Sequence, residues 1–344
     1  MPGQYRFTFG PWNIHEGADP FGPPVRESIA FDDKLQVYKR LGFEGIQFHD
    51  DDAVPDIDRY SRTELLKKAR EVKRRLDELE LVCEFIAPRL WESPRTIDGG
   101  FTSNDEKDRN YALERTVRAT EIALELGCDK MVLWLAREGT YLREAKDASR
   151  AVDQVVDAVN RMLAVDKSIK ILIEPKPNEP MDMAFLPTMG HAVATGYLTD
   201  DPSRVGALME SAHAILAGLD PADEIAYALA HGKLWSVHLN DQNGLKYDQD
   251  KAFGSVDLRR AFNQVRVLER CDYGKNGEWV GLDVKAMRTQ RREESFTHLK
   301  NSKETFELLV DKVRTLDEEA VADLIGKRDY DALDQLIVRH LMGR

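Results

Sequence analysis

The chain has 344 residues, 42% hydrophobic and 32% charged, with no Ser/Gly-rich or repeated tract, a composition that excludes a disordered or fibrous protein. Its formal net charge of −12 argues against a nucleic-acid partner, whose phosphates need a concentrated basic surface. No window approaches the roughly 18 uncharged apolar residues of a membrane helix, and MPGQYRFTFGPW lacks a basic flank followed by an apolar run, so a cytoplasmic protein with no membrane partner is expected.

Short apolar runs rich in β-branched and aromatic residues alternate with amphipathic helical patterns, the signature of βαβ units and a parallel sheet. In chain order the runs fall at 6–9, 45–48, 81–86, 130–135, 170–174, 204–208, 234–239 and 278–284. The helices between them include 62–80, 111–126 and 148–163, whose apolar residues recur every three or four positions and so cover one face. Eight such strands, each followed by a helix, predict a closed (β/α)8 TIM barrel of the α/β class over 1–316, with its eighth helix at 297–316. The remaining 317–344 reads as a short amphipathic helical tail with no evident place on one barrel, so its apolar stripe is expected to contact another subunit of a homo-oligomer. Cys83, Cys128 and Cys271 are odd in number and lack CxxC spacing, which fits buried reduced thiols.

Catalytic groups of such a barrel sit at the C-terminal ends of its strands and in the loops that follow. The second strand runs into His49, Asp50, Asp51 and Asp52, and the fourth into Trp134, Arg137 and Glu138. The fifth delivers Glu174 and Lys176, and the sixth Glu210 and His213. The seventh gives His238 and Asp241, then Asp248 and Asp250, and the eighth Asp283, Lys285 and Arg288. Taken singly, DDD or DQD reads as a solvated turn and His238 as a hydrogen-bonded core histidine. Their coincidence at one end of six strands points to function instead.

Carboxylates converging on a partly dehydrated mouth repel one another, and divalent cations are the simplest remedy. Oxygen ligands with one or two imidazoles suit Mg²⁺, Mn²⁺ or Co²⁺ better than a thiolate zinc site. In ILIEPKPNEP, Glu174 and Lys176 stand two positions apart and share one side of an extended chain. Pro175 and Pro177 hold that chain extended after the strand's ladder stops. One side chain is therefore set to bind a cation and the other to present a positive charge beside it.

The segments RFTFGPW, FHDDDAVP, DGGFTSND, IEPKPNEP, LPTMGHA, LNDQNGLKYDQD and LDQLIVRHLMG resemble, in order and spacing, the xylose isomerase (glucose isomerase) family, in its shorter, actinobacterial-type class. The resemblance implies a barrel enzyme, usually a homotetramer, that interconverts aldose and ketose sugars with two divalent cations per subunit. It implies Glu174, Glu210, Asp283 and position 238 as ligands of one cation, with Glu210, His213, Asp248 and Asp250 around the second. Lys176 would polarise the carbonyl oxygen at C1, and His49, oriented by Asp52, would assist ring opening. Trp12 and Trp134 would wall the pocket, and Phe21 of DPFG would reach into a neighbour's.

The chain also departs from that family. His238 stands where aspartate is usual, which favours Mn²⁺ or Co²⁺ over Mg²⁺. Trp91 aligns with a pocket phenylalanine, Ala87 with a threonine, and Asn13-Ile14-His15-Glu16 with a Thr-Val-Gly-Trp run, so the sugar pocket is reshaped. The tail is shorter than the family's long arm. No GxGxxG follows a strand, so no nicotinamide is expected. A sugar epimerase on the same barrel and a metal-loaded sugar-binding protein without catalysis are the competing readings.

Overall fold

The computed structural model describes residues 5–19, 21–245, 247–291 and 296–344. Pro20 of DPFG and Lys246 of KYDQD lie outside the described residues. Eight strands form, as β1 (Arg6–Phe9), β2 (Gly45–His49), β3 (Val82–Ala87), β4 (Lys130–Trp134), β5 (Lys170–Glu174), β6 (Val205–Glu210), β7 (Leu234–Leu239) and β8 (Trp279–Leu282). Each pairs in parallel with the next in chain order, and β8 returns to β1 to close the ring. This is the expected (β/α)8 barrel. An additional antiparallel pair, Gly139–Thr140 with Met183–Ala184, ties the loops after β4 and β5.

The boundaries that moved did so for local reasons. β3 begins at Val82 because the Leu81 amide donates back to Leu76 O at 2.9 Å, closing the helix Arg62–Glu78. β8 stops at Leu282 because the Val284 amide donates to Asn13 Oδ1 at 2.6 Å instead of to a neighbouring strand. The helix expected at 111–126 spans Glu106–Glu125, since Asp105 caps its first turn by accepting from the Lys107 amide at 2.8 Å. RVGALME yields β6, six residues buried throughout, whose last member is Glu210.

Asn13 is itself fixed from the outer layer, because His298, in the helix Thr297–Arg314, donates from Nε2 to Asn13 O at 2.8 Å. Burial pulls the His298 pKa down from 6.5 to about 4, against its bond to Asn13. A depressed pKa means the unfolded chain binds a proton that the native ring refuses, so this stability is present above pH 6.5 and is lost as pH falls toward 4. Equilibrium urea unfolding at pH 7.5 and 4.5 should show a loss about 2 to 3 kcal/mol larger in the wild type than in His298→Gln. Equal losses in the two proteins would contradict it.

Cys83 and Cys128 are buried and free, as expected, but Cys271 is exposed. It caps the C-terminus of the helix Leu258–Arg270, beyond that helix's apolar face. The tail forms helices Glu318–Lys327 and Tyr330–Leu341. Val321 and Ile337 join the barrel's own hydrophobic core, Glu318 pairs with Arg266 and Arg270 at 2.8 and 2.7 Å, and Lys312 Nζ donates to His340 O at 2.8 Å. The stripe for which the sequence offered no partner therefore meets its own chain, leaving Ile325, Tyr330 and Met342 exposed.

Candidate active site

Parallel pairing brings the strand ends to one level. Glu210 pairs with His238, Trp134 with Glu174 and His49 with Ala87, at the rim of a cavity of about 790 Å³ at the C-terminal mouth. Glu174, Glu210, His213, His238, Asp248, Asp250 and Asp283 all line it. The short helix Ser211–Leu216 after β6 turns His213 back over Glu210, its Nε2 3.3 Å from Glu210 Oε1 and 3.1 Å from Asp248 Oδ2. His238 Nδ1 lies 3.6, 3.4 and 3.9 Å from Glu174, Glu210 and Asp283 oxygens. Glu174 Oε1 is also 3.6 Å from His213 Nδ1, so it stands between the two imidazoles.

These donors fall into three groups whose ligand atoms all lie within 4.8 Å of one another: Glu174, Glu210 and His213; Glu210, His238 and Asp283; and Glu210, Asp248 and Asp250. Glu210 belongs to every group. Among the described residues, His213 Nδ1, His238 Nδ1 and Asp248 Oδ1 are buried without a hydrogen-bond partner, a costly arrangement unless a cation takes their lone pairs. This donor set fits divalent metal ions.

The electrostatics agree. Burial, reinforced by Asp248 and Asp283, pushes the Glu210 carboxyl well above its usual range, although His213 and His238 oppose it. Burial and then Asp248 do the same to Asp250 against Lys285, whose Nζ lies 2.8 Å away. Burial would also raise Asp248, but Lys176 and His213 overcome it and hold this carboxylate well below its usual range. Asn240 braces the cluster, its amide donating to Glu210, Asp250 and the Asp283 carbonyl at 2.9, 3.3 and 2.9 Å.

Lys176 lines the same cavity, with Nζ 2.9 Å from Asp248, 3.2 Å from Glu179 and 4.9 Å from the Trp134 ring centre. Burial alone would lower its pKa, but Asp248 and Glu179 raise it, so the ammonium stays charged. Glu174 and Lys176 thus face one cavity, as the proline spacing predicted. Glu179 Oε2 also accepts from the Asp248 amide at 2.9 Å, which fixes the loop carrying that residue.

On the opposite wall, His49 Nδ1 lies 2.8 Å from Asp52 Oδ2 and 2.7 Å from Arg89 Nη2. Burial opposes ionisation of Asp52, yet His49 and Arg89 hold its pKa at about 2. Each aspartate of DDD has a partner: Asp50 receives Arg115 Nε and Nη2 at 2.7 and 2.8 Å, Asp51 receives Arg89 Nε at 2.7 Å, and Asp52 holds His49. The run is therefore an anchor, not a solvated turn. Asp50 is fully buried, so Arg115→Met strands its charge and should cost about 3 to 5 kcal/mol in equilibrium unfolding; a loss below 1 kcal/mol would refute that anchoring role.

Trp12, Trp91 and Trp134 all line the cavity: Trp91 meets Trp134 edge-on at 4.5 Å, Trp12 tilts over His49 at 4.1 Å, and Trp12 Nε1 donates to Asp283 at 2.9 Å. Ala87, His15 and Glu16 line it too, so the substituted positions do shape the pocket. Phe21 is 80% exposed and touches Tyr247 edge-on at 5.8 Å, outside this chain's own cavity lining.

Several strand-end residues are not drawn into the cluster. Asp241 accepts from the Val256 and Asp257 amides, Glu138 from those of 100–102, and Arg288 donates to Gly17 O and Pro23 O. The sequence reading in turn missed Arg89, Glu179 and Asn240. Asn240, directly after β7, was open to the same strand-end rule; Arg89 and Glu179 act through loop geometry that no spacing announces.

The chain belongs to the xylose isomerase-like TIM-barrel family, whose model matches residues 35–271. Similar solved structures include the IolI protein with a bound zinc atom, at 14% identity over 90% of this chain and 99% of that one, with a TM-score of 0.62. Apo 3-keto-D-glucoside 4-epimerase YcjR from E. coli is 16% identical over 89% and 100%, with a TM-score of 0.61. A D-tagatose 3-epimerase-like protein is 17% identical over 90% and 99%, with a TM-score of 0.63. At these identities the likeness is one of fold. No helix among the described residues is long and apolar enough to cross a membrane.

Proposed function

We propose that this chain is a metal-dependent aldose–ketose isomerase of the xylose isomerase kind, acting by ring opening and a hydride shift between C2 and C1. The observation that carries the reading is the sharing of Glu210 among three ligand groups, with a charged Lys176 beside them. Glu174, Glu210, His238 and Asp283 would hold one cation, and Glu210, His213, Asp248 and Asp250 a second. Among the described residues lining the cavity, eight carboxylates stand against four Lys or Arg side chains, a deficit of positive charge that two divalent cations balance without an anionic substrate. Mg²⁺, Mn²⁺ or Co²⁺ bound there would act as Lewis acids on the sugar oxygens.

The chain's own residues supply the rest. The Lys176 ammonium donates to the oxygen at C1 and stabilises the negative charge that grows there. His49, steadied by Asp52 and Arg89, moves the proton that opens the sugar ring. Trp12, Trp91 and Trp134 keep water from C1 and C2, so the migrating hydrogen does not exchange. A homo-oligomer in which exposed Phe21 and the tail meet another subunit belongs to the same reading.

An epimerase is the second reading, favoured by the names of two fold neighbours. The two readings part on hydrogen transfer. A panel of aldoses with Mg²⁺, Mn²⁺ or Co²⁺ in D₂O should yield a ketose that retains the hydrogen from C2. Full deuterium incorporation, or an epimeric aldose as the product, would replace the isomerase with the acid–base alternative.

A further inference from the structure

Behind the ligand cluster a row of buried polar groups crosses the barrel from β7 to β2 and β3. His238 Nε2 lies 3.1 Å from Gln47 Oε1, Gln47 Nε2 donates to Glu84 Oε2 at 2.9 Å, and Ser236 Oγ donates to Glu84 Oε1 at 2.6 Å. Gln47 and Glu84 are 0% and 2% exposed, and neither lines the cavity. Glu84 reaches this position through a register shift: Ile46 pairs with Cys83 and Gln47 with Phe85, so Glu84 is the inserted residue of a bulge that aims its carboxylate inward.

The chemistry of the row has one direction. A carboxylate accepts, so the Gln47 amide must turn its NH₂ to Glu84 and its oxygen to His238. An amide oxygen also only accepts, so the hydrogen sits on His238 Nε2. Nδ1 is then the nitrogen that faces Glu174, Glu210 and Asp283, and among the described residues it has no hydrogen-bond partner. The ring has little freedom to turn away, with Phe85 5.8 Å from it on one side. A Cβ at Gly281 would lie 2.7 Å from Gln47 Nε2 and 3.0 Å from His238 Cδ2, so β8 also needs a glycine where it passes the row.

We propose that Glu84 is a positioning residue that acts through Gln47 to make His238 Nδ1 the metal-ligating nitrogen. This rests on the metal-dependent reading above and assigns the deep end of the ligand shell to groups that never meet the sugar. Partners of this kind orient a ligating histidine and raise its donor strength.

The test uses Glu84→Gln, which keeps the shape but lets both amides turn over, and Gln47→Leu, which removes the acceptor. Co²⁺ affinity measured by calorimetry on the full chain should fall about 10- to 100-fold in each. In ¹⁵N-histidine spectra of the Zn²⁺-loaded wild type, His238 should show a metal-bound Nδ1 and a protonated Nε2; Glu84→Gln should blur that pattern. In a His238→Ala background, Glu84→Gln should cause no further loss of affinity, which a merely structural role would not produce. If Gln47→Leu does not fold, Glu84→Gln alone decides. Variants that bind Co²⁺ within twofold of wild type and keep its nitrogen pattern overturn this inference alone. A wild type that binds no Co²⁺ overturns the metal-dependent reading together with it.

Discussion

Lys176→Met should cut ketose formation by about 10³-fold or more while leaving cation binding intact or tighter, because it deletes a buried charge-assisted donor and leaves every proposed cation ligand in place. The separation follows from where the ammonium sits. Its partners are Asp248 and Glu179, at 2.9 and 3.2 Å, so removing it leaves Asp248 more negative and no less able to bind a cation. Calorimetric titration with Mn²⁺ beside a ketose assay measures both halves on one preparation. Turnover within tenfold of wild type would remove Lys176 from the chemistry.

Glu210→Gln should do the opposite, abolishing cation binding and turnover together. This carboxylate belongs to all three ligand groups and is 2% exposed. An amide of the same shape keeps the packing and loses the shared anion. Its burial beside Asp248 and Asp283 also disfavours folding of the metal-free chain. Without metal, Glu210→Gln should therefore be more stable than wild type by about 1 to 2 kcal/mol in equilibrium unfolding, and it should gain nothing from added Mn²⁺. A variant that is less stable without metal yet still stabilised by Mn²⁺ would show that Glu210 is a structural residue.

Most of this site was legible because a barrel converts a one-dimensional rule into a three-dimensional one. Once the apolar runs fix eight strands, the residues that end each run or closely follow it must lie at the mouth, which is how Glu174, Glu210, His238 and Asp283 emerged from positions far apart in the chain. The rule fails where a residue at the right level points the wrong way. Asp241 lies only two residues past the end of β7, yet its carboxylate caps the Val256 and Asp257 amides. It also fails inside the barrel. Glu84 faces inward only because β3 carries one residue more than β2 across the bulge, and a period-two reading cannot foresee that shift. The tail's seat on its own barrel escaped for a related reason: its apolar stripe is plain in the sequence, but the surface it meets comes from the helices Leu258–Arg270 and Thr297–Arg314, which no local pattern joins.

Cation stoichiometry tests the central claim most directly. Chain stripped with chelator and titrated with Mn²⁺ or Co²⁺ should take up two equivalents per chain, with thermal stability rising as they bind and ketose-forming activity returning only when both are present. Uptake of no cation, or full activity in the stripped chain, would contradict the account.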